Sequence, residues 1–284
     1  MTRPTKLLLV TSLSLFVLAH ISRAEPSHTS FFNSQWLQTV VSIDMPSAGD
    51  QTKYVHIGTG FLVRSSRSHY ILVTAKHVVS DPRILRKLLV YRLASATGII
   101  LVQESQLVGG GLGDWFTSPS SDVACRFIAF PKSTSPSAIP ADAFMAQGDL
   151  EPGASLLVLG FPYGEPKEGL TRAIVRHGTF AGTDDNGNLI ADTFVFGGNS
   201  GGPVVYVPTV KVSPPLQSTL VHEEKLVGLV VSYTWVSAPT DAYVETVVKE
   251  NSGLAGLVPA SVIQQLIARQ DVDSFDAALS AKSP

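Results

Sequence analysis

The chain has 284 residues, 44% of them apolar and only 15% charged, with a formal net charge of −2. That is enough apolar material for one large domain or two small ones, and too little charge for a disordered or charge-rich helical protein. Lys and Arg are not clustered, so no nucleic-acid partner is predicted.

The N-terminus has the pattern of an export leader. Arg3 and Lys6 precede an apolar run over residues 7–19, which is shorter than a comfortable bilayer span. Ser22-Arg23-Ala24 then puts small residues at the two positions a signal peptidase reads. The expectation is cleavage after Ala24 and export to the periplasm or the medium, with no membrane span in the mature chain. The single cysteine, Cys125, cannot form an internal disulfide. Within the apolar run 122–128 it reads as a buried, inert thiol.

Short β-branched runs bounded by Gly, Pro, Ser or Asp predict strands at 39–44, 54–64, 69–74, 87–93, 99–108 and 123–130. Residues 131–152 are richer in Pro, Ser and Ala, and a linker is expected over 136–152. Strands resume at 155–161, 171–180, 188–196, 204–207, 226–233 and 243–248. Asp184-Asp185-Asn186-Gly187-Asn188 marks a hairpin turn, because Asn-Gly tolerates positive φ. Residues 259–269 have helical spacing and close the fold as a helix. The expected fold is all-β: two antiparallel six-stranded β-barrels, at 25–135 and 153–258, with a C-terminal helix and tail over 259–284. Regular βα alternation is missing, which counts against a parallel doubly wound sheet.

Three segments carry chemistry. Leu72-Val73-Thr74-Ala75-Lys76-His77 runs a strand into a histidine, Ser121-Asp122-Val123 opens a strand on an acid, and Gly197-Gly198-Asn199-Ser200-Gly201-Gly202-Pro203 sets a serine in a glycine-rich turn. A serine hydroxyl is a weak nucleophile until a neutral imidazole takes its proton. A carboxylate behind the imidazole fixes its tautomer and stabilises the imidazolium. The developing oxyanion needs preorganised donors, and glycines let backbone N–H groups approach it closely.

These segments resemble the His, Asp and Ser motifs of trypsin-like serine peptidases, and most of all those of bacterial exported peptidases of the high-temperature-requirement type. Gly58-Thr59-Gly60-Phe61-Leu62 is similar to the strand before the family's histidine, and Gly198-Asn199-Ser200-Gly201-Gly202-Pro203 to its nucleophile loop. The resemblance spans roughly residues 39–269. It implies a chymotrypsin-like double barrel with the site between the barrels. It also implies a serine endopeptidase with His77 as base, Asp122 as its orienter and Ser200 as nucleophile, and an oxyanion hole of the Gly198 and Ser200 amides. No metal or other cofactor is expected, and the partner is a protein or peptide substrate.

The position before the serine is Asp in the digestive members, where it pairs with a freed N-terminus. Here it is the neutral Asn199, so no such activation is predicted. The residues after the closing helix are too few for a PDZ domain. The resemblance also implies that the base of the first specificity pocket falls on Phe194, whose alternative reading is a core residue, and its wall on Val231, Ser232 and Tyr233. With no acid at the base, a preference for Arg or Lys is not expected. Gly198-x-Ser200-x-Gly202 also fits an α/β-hydrolase elbow, but a β-branched strand follows it and the chain order is His, Asp, Ser. His222-Glu223-Glu224-Lys225-Leu226 lacks the second histidine of a zinc helix. The glycines at 109–113 precede no helix and read as a surface loop. The remaining alternative is a protease fold that docks peptides without cutting them.

Overall fold

The computed structural model describes residues 32–282 except 48, 51–52, 96–97, 132–133, 147, 163–171, 208–209, 214–216, 221–222 and 242–243. The expected leader, and with it Thr171, His222 and Tyr243, lies outside the described residues. Seven strands make the N-terminal sheet: β1 (Val40–Pro46), β2 (Tyr54–Arg64), β3 (Tyr70–Thr74), β4 (Val90–Ser95), β5 (Gly98–Gln103), β6 (Phe116–Thr117) and β7 (Ala124–Ile128). They pair in the order β5-β4-β1-β2-β3-β7-β6. Helix α1 (Lys76–Ser80) follows β3 and helix α2 (Glu104–Gly109) follows β5.

The first of the two expected barrels is therefore a seven-stranded sheet, with no pairing between β5 and β6 among the described residues. The cause is local. The strand expected over 99–108 ends at Gln103, where Gln103 and Gln106 form a reciprocal capping box and start α2. The residues that would have lengthened β5 toward closure are helical instead. The strand expected from 87 likewise begins only at Val90, after a 3-10 turn over Arg86–Leu88.

The C-terminal half closes as expected. Its strands are β8 (Ser155–Gly160), β9 (Ile174–Thr183), β10 (Leu189–Asp192), β11 (Pro203–Tyr206), β12 (Val210–Ser213), β13 (Gln217–Leu220), β14 (Lys225–Asp241) and β15 (Val244–Pro259). Six of them form a closed barrel, β10-β15-β14-β11-β8-β9, while β12 and β13 pair with each other and, among the described residues, with no other strand. The turn at 184–188 is held by the Asp184 carboxylate, which accepts from the Asn186 and Asn188 N–H groups at 2.9 and 2.8 Å. The Asn188 side-chain amide, which donates to the same carboxylate, and then those backbone bonds hold the Asp184 carboxyl below its ordinary pKa. The strand expected over 188–196 stops at Asp192, and the chain turns into the loop that bears Ser200.

Each half has its own apolar core. Ile43, Phe61, Leu72 and Phe127 fill the first, and Leu156, Val158, Val204 and Leu257 the second. The expected linker is a packed strap. Ile139 bridges Val63 and Phe144 bridges Leu226, and Ile139, Phe144 and Met145 are buried. Cys125 is buried as expected, and burial pushes its thiol pKa up to about 12.

The chain ends in two helices, α3 (Ala260–Ile267) and α4 (Gln270–Lys282). The first is the expected helix and the second replaces the expected tail. Phe275 of α4 packs against Phe116 and Phe127, and Val272 is buried. The buried Asp276 carboxylate accepts from Ser65 Oγ at 3.0 Å and meets His69 Nδ1 at 2.6 Å. Among the described residues no helix is long and apolar enough to cross a membrane.

Candidate active site

His77 is the second residue of α1, entered from β3 through Ala75. Its position follows from the sequence: β3 is a buried apolar strand, and the chain turns helical as soon as that strand ends. Asp122 closes the Ser118–Asp122 turn before β7. Its carboxylate accepts twice from His77, from the backbone N–H at 2.9 Å and from Nδ1 at 2.6 Å. Partial burial works to raise the Asp122 pKa, but the bonds from the His77 ring and backbone outweigh it and hold the carboxyl below its ordinary value.

Ser200 sits on a turn wedged between the two halves. Its carbonyl accepts from Thr59 N–H of β2 at 2.8 Å. Next to it, Gly201 has φ +84°, and a Cβ there would lie 2.0 Å from the Thr59 carbonyl oxygen and 2.9 Å from Ala75 N. Only glycine fits this approach, and it brings the serine turn against the residues that lead into His77. The turn is pinned on its own barrel too: Gly201 N–H donates to the Val230 carbonyl at 2.7 Å and Val230 N–H to the Gly202 carbonyl at 3.0 Å. No hydrogen bond joins Ser200 to His77 among the described residues.

Neither the Gly198 nor the Ser200 N–H donates to a protein acceptor among the described residues. Gly198 has φ +95°. Its carbonyl is turned into the protein, accepting from Thr59 Oγ1 at 2.7 Å and facing His56 Nε2 at 3.1 Å. Two backbone donors are thus left for an incoming group.

Phe194 lies at the surface, 54% exposed, with its ring edge beside Gly253. Val231 and Tyr233 of β14 are half-buried and Ser232 is exposed. Beyond Leu229, where β11 ends its pairing, β14 has β15 on one side and no strand on the other among the described residues. On the outer side of His77 and Asp122 lies an open depression of about 790 Å³, walled by Lys76, Asp81, Arg83 and Pro119. Within it Asp81 pairs with Arg83, whose bonds hold its carboxyl down to about 2. Among the described residues no group of three His, Cys, Asp or Glu side chains is placed to hold a metal ion.

Near the serine turn the structure also places His56, Asp44 and Arg92, which belong to none of the three motifs. Only Asp44 has a sequence signal: with Ser42 it interrupts an apolar strand two residues apart, on one face.

The family model described as a trypsin-like peptidase domain matches residues 58–209. No curated protein matches the chain. Among solved structures, the serine endoprotease from Yersinia pestis is 20% identical with a TM-score of 0.47, over 82% of this chain and 64% of that one. The chain thus spans less than two thirds of that protein's length. The human heparin binding protein is 11% identical with a TM-score of 0.51, over 89% of this chain and 96% of that one. This likeness is one of fold, which is chymotrypsin-like. The family match starts at Gly58, ahead of His77, runs past the serine turn and takes in more than half of the chain. By that match, the chain belongs to the family of trypsin-like peptidase domains.

Proposed function

We propose that the protein is an exported serine endopeptidase that cleaves peptide bonds through an acyl-enzyme at Ser200. The observation that carries this reading is the pair of hydrogen bonds that the Asp122 carboxylate accepts from His77. A carboxylate at Nδ1 fixes the proton there and leaves Nε2 as a base. When a peptide fills the cleft, Ser200 Oγ attacks the carbonyl carbon as its proton passes to His77 Nε2; such contacts tighten on substrate binding. The negative oxygen is met by the Gly198 and Ser200 N–H groups. Collapse breaks the C–N bond, and the proton on Nε2 goes to the leaving amine. Water then repeats the sequence on the ester and frees Ser200.

The open edge of β14 at Ser232–Trp235 suits an extended substrate, which adds to a free strand edge by main-chain hydrogen bonds. Phe194, Val231, Ser232 and Tyr233 border the first specificity pocket in this reading, and none of them is an acid that would select Arg or Lys. Export rests on the basic and apolar pattern of residues 3–24.

A second reading has one observation in its favour. Ser200 and His77 are not bonded, as would suit a domain that holds peptides without cutting them. Ser200→Ala separates the two. The wild type is expected to hydrolyse casein and to be labelled at Ser200 by a fluorophosphonate. The variant should lose the label, and roughly 10⁶-fold in kcat. Equal behaviour of the two proteins would leave only the binding module.

A further inference from the structure

The turn that carries the two free amides is held from the opposite sheet by a buried polar cluster. His56, on β2, lies opposite Asp44 of β1 in the strand register. Its Nδ1 faces Ser42 Oγ at 2.8 Å and Asp44 Oδ1 at 3.2 Å. Arg92 of β4 completes the cluster: Nε donates to Asp44 Oδ2 and Nη2 to Ser42 Oγ, both at 3.0 Å. His56 and Asp44 are 5% and 3% exposed. Burial works to raise the Asp44 pKa, but His56, Arg92 and Ser42 together bring it below the ordinary value.

From this cluster the ring reaches out of the N-terminal sheet. Its Nε2 meets the Gly198 carbonyl at 3.1 Å. A carbonyl can only accept, so Nε2 carries a proton there. Thr59 Oγ1 donates to the same oxygen. On the other side of that peptide, Asn199 N–H donates to the Phe196 carbonyl at 3.0 Å. Rotating the Gly198–Asn199 peptide would break all three bonds. The amides that flank it, those of Gly198 and Ser200, can share one target only while it keeps its orientation. The neighbouring Asn199 side chain brings no charge to the turn: Oδ1 accepts from Phe196 N–H at 3.2 Å, and Nδ2 has no partner among the described residues.

We propose that His56, braced by Asp44, Ser42 and Arg92, is a positioning residue that locks the Gly198 carbonyl and so keeps both oxyanion donors aimed at the reacting carbonyl. The inference rests on the peptidase reading above. The braced ring acts on the transition state and not on ground-state peptide binding, because His56 lies behind the turn with its ring packed on Phe161.

The test compares wild type, His56→Leu and His56→Gln with a chromogenic peptide amide. A peptide boronic acid, which forms the tetrahedral adduct, and the corresponding cleaved peptide serve as ligands. His56→Leu is expected to lower kcat by roughly 10–100-fold, less than direct loss of an oxyanion donor at its most severe, with KM within about twofold of wild type. Boronate affinity should fall in proportion, and affinity for the cleaved peptide should hold. His56→Gln keeps an N–H donor and should recover most of the loss. If His56→Leu fails to fold, Asp44→Asn, which weakens the brace, should show the same split. Unchanged kcat in a folded His56→Leu, a parallel loss of cleaved-peptide binding, or no recovery with Gln would overturn the proposal. A wild type that resists the fluorophosphonate would sink the peptidase reading itself, whereas a labelled wild type matched by His56→Leu sinks only the role of His56.

Discussion

Arg126 is fully enclosed by the N-terminal sheet, with its Nη1 on both carboxylate oxygens of Glu104 and its Nη2 on the Gly113 carbonyl at 3.2 Å. The Tyr91 hydroxyl donates to the same carboxylate, and the guanidinium stands 5.5 Å from the Trp115 ring centre. Removing one partner of such a pair strands the other away from water. Glu104→Ala should therefore cost about 3–5 kcal/mol of stability in urea unfolding. Arg126→Met should cost less, because a stranded carboxyl can take up a proton and a guanidinium cannot give one away. Equal losses would mean that packing, not charge, sets the cost. The same scale decides what the sequence can reveal. His77, Asp122 and Ser200 each sit in a short motif whose neighbours announce its chemistry. His56 does not, since its partners stand 12 and 142 residues away in the chain and meet only through strand register and the docking of one sheet on a loop of the other half.

At the scale of elements, most strands were legible because β-branched runs end at turn residues, and β2 falls on its expected bounds. Helix α4 is hard to see in the sequence, although Val272, Phe275 and Leu279 have helical spacing. Asp271, Asp273 and Asp276 interleave with them and mask the apolar stripe. Asp276 is in fact the polar pin of the buried stripe, held by Ser65, His69 and Arg67 from the β2–β3 turn. Asp276→Ala is expected to cost about 1–3 kcal/mol, with faster hydrogen exchange at both α4 and residues 65–69. Protection that falls only in α4 would show that the turn stands without it. Closure of the first barrel is hard to read for a related reason: the run at 99–106 is compatible with strand or helix, and the capping box decides between them.

For the whole molecule, the buried and bonded carboxylates set the acid limit. Asp44 and Asp122 both titrate below the ordinary 3.8 in the fold. A group lowered in this way adds stability above its unfolded pKa, and that contribution disappears as the pH falls toward the folded value. The urea midpoint should therefore drop below about pH 4, and the drop should be smaller in Asp44→Asn. Parallel curves for the two proteins would mean that other groups govern the acid transition.

The grip of Thr59 and His56 on the serine turn also bears on the order in which the protein becomes competent. The turn at Gly198–Ser200 takes its shape against a strand made roughly 140 residues earlier. Being earlier in the chain, that strand is made first and can serve as the template against which the later turn takes shape. Cut between the halves, the C-terminal piece would keep a barrel of its own with its nucleophile turn slack. Supplying the N-terminal piece in trans would tighten that turn again, so the join between the halves is a natural place to split the chain into a reporter whose signal depends on reassembly.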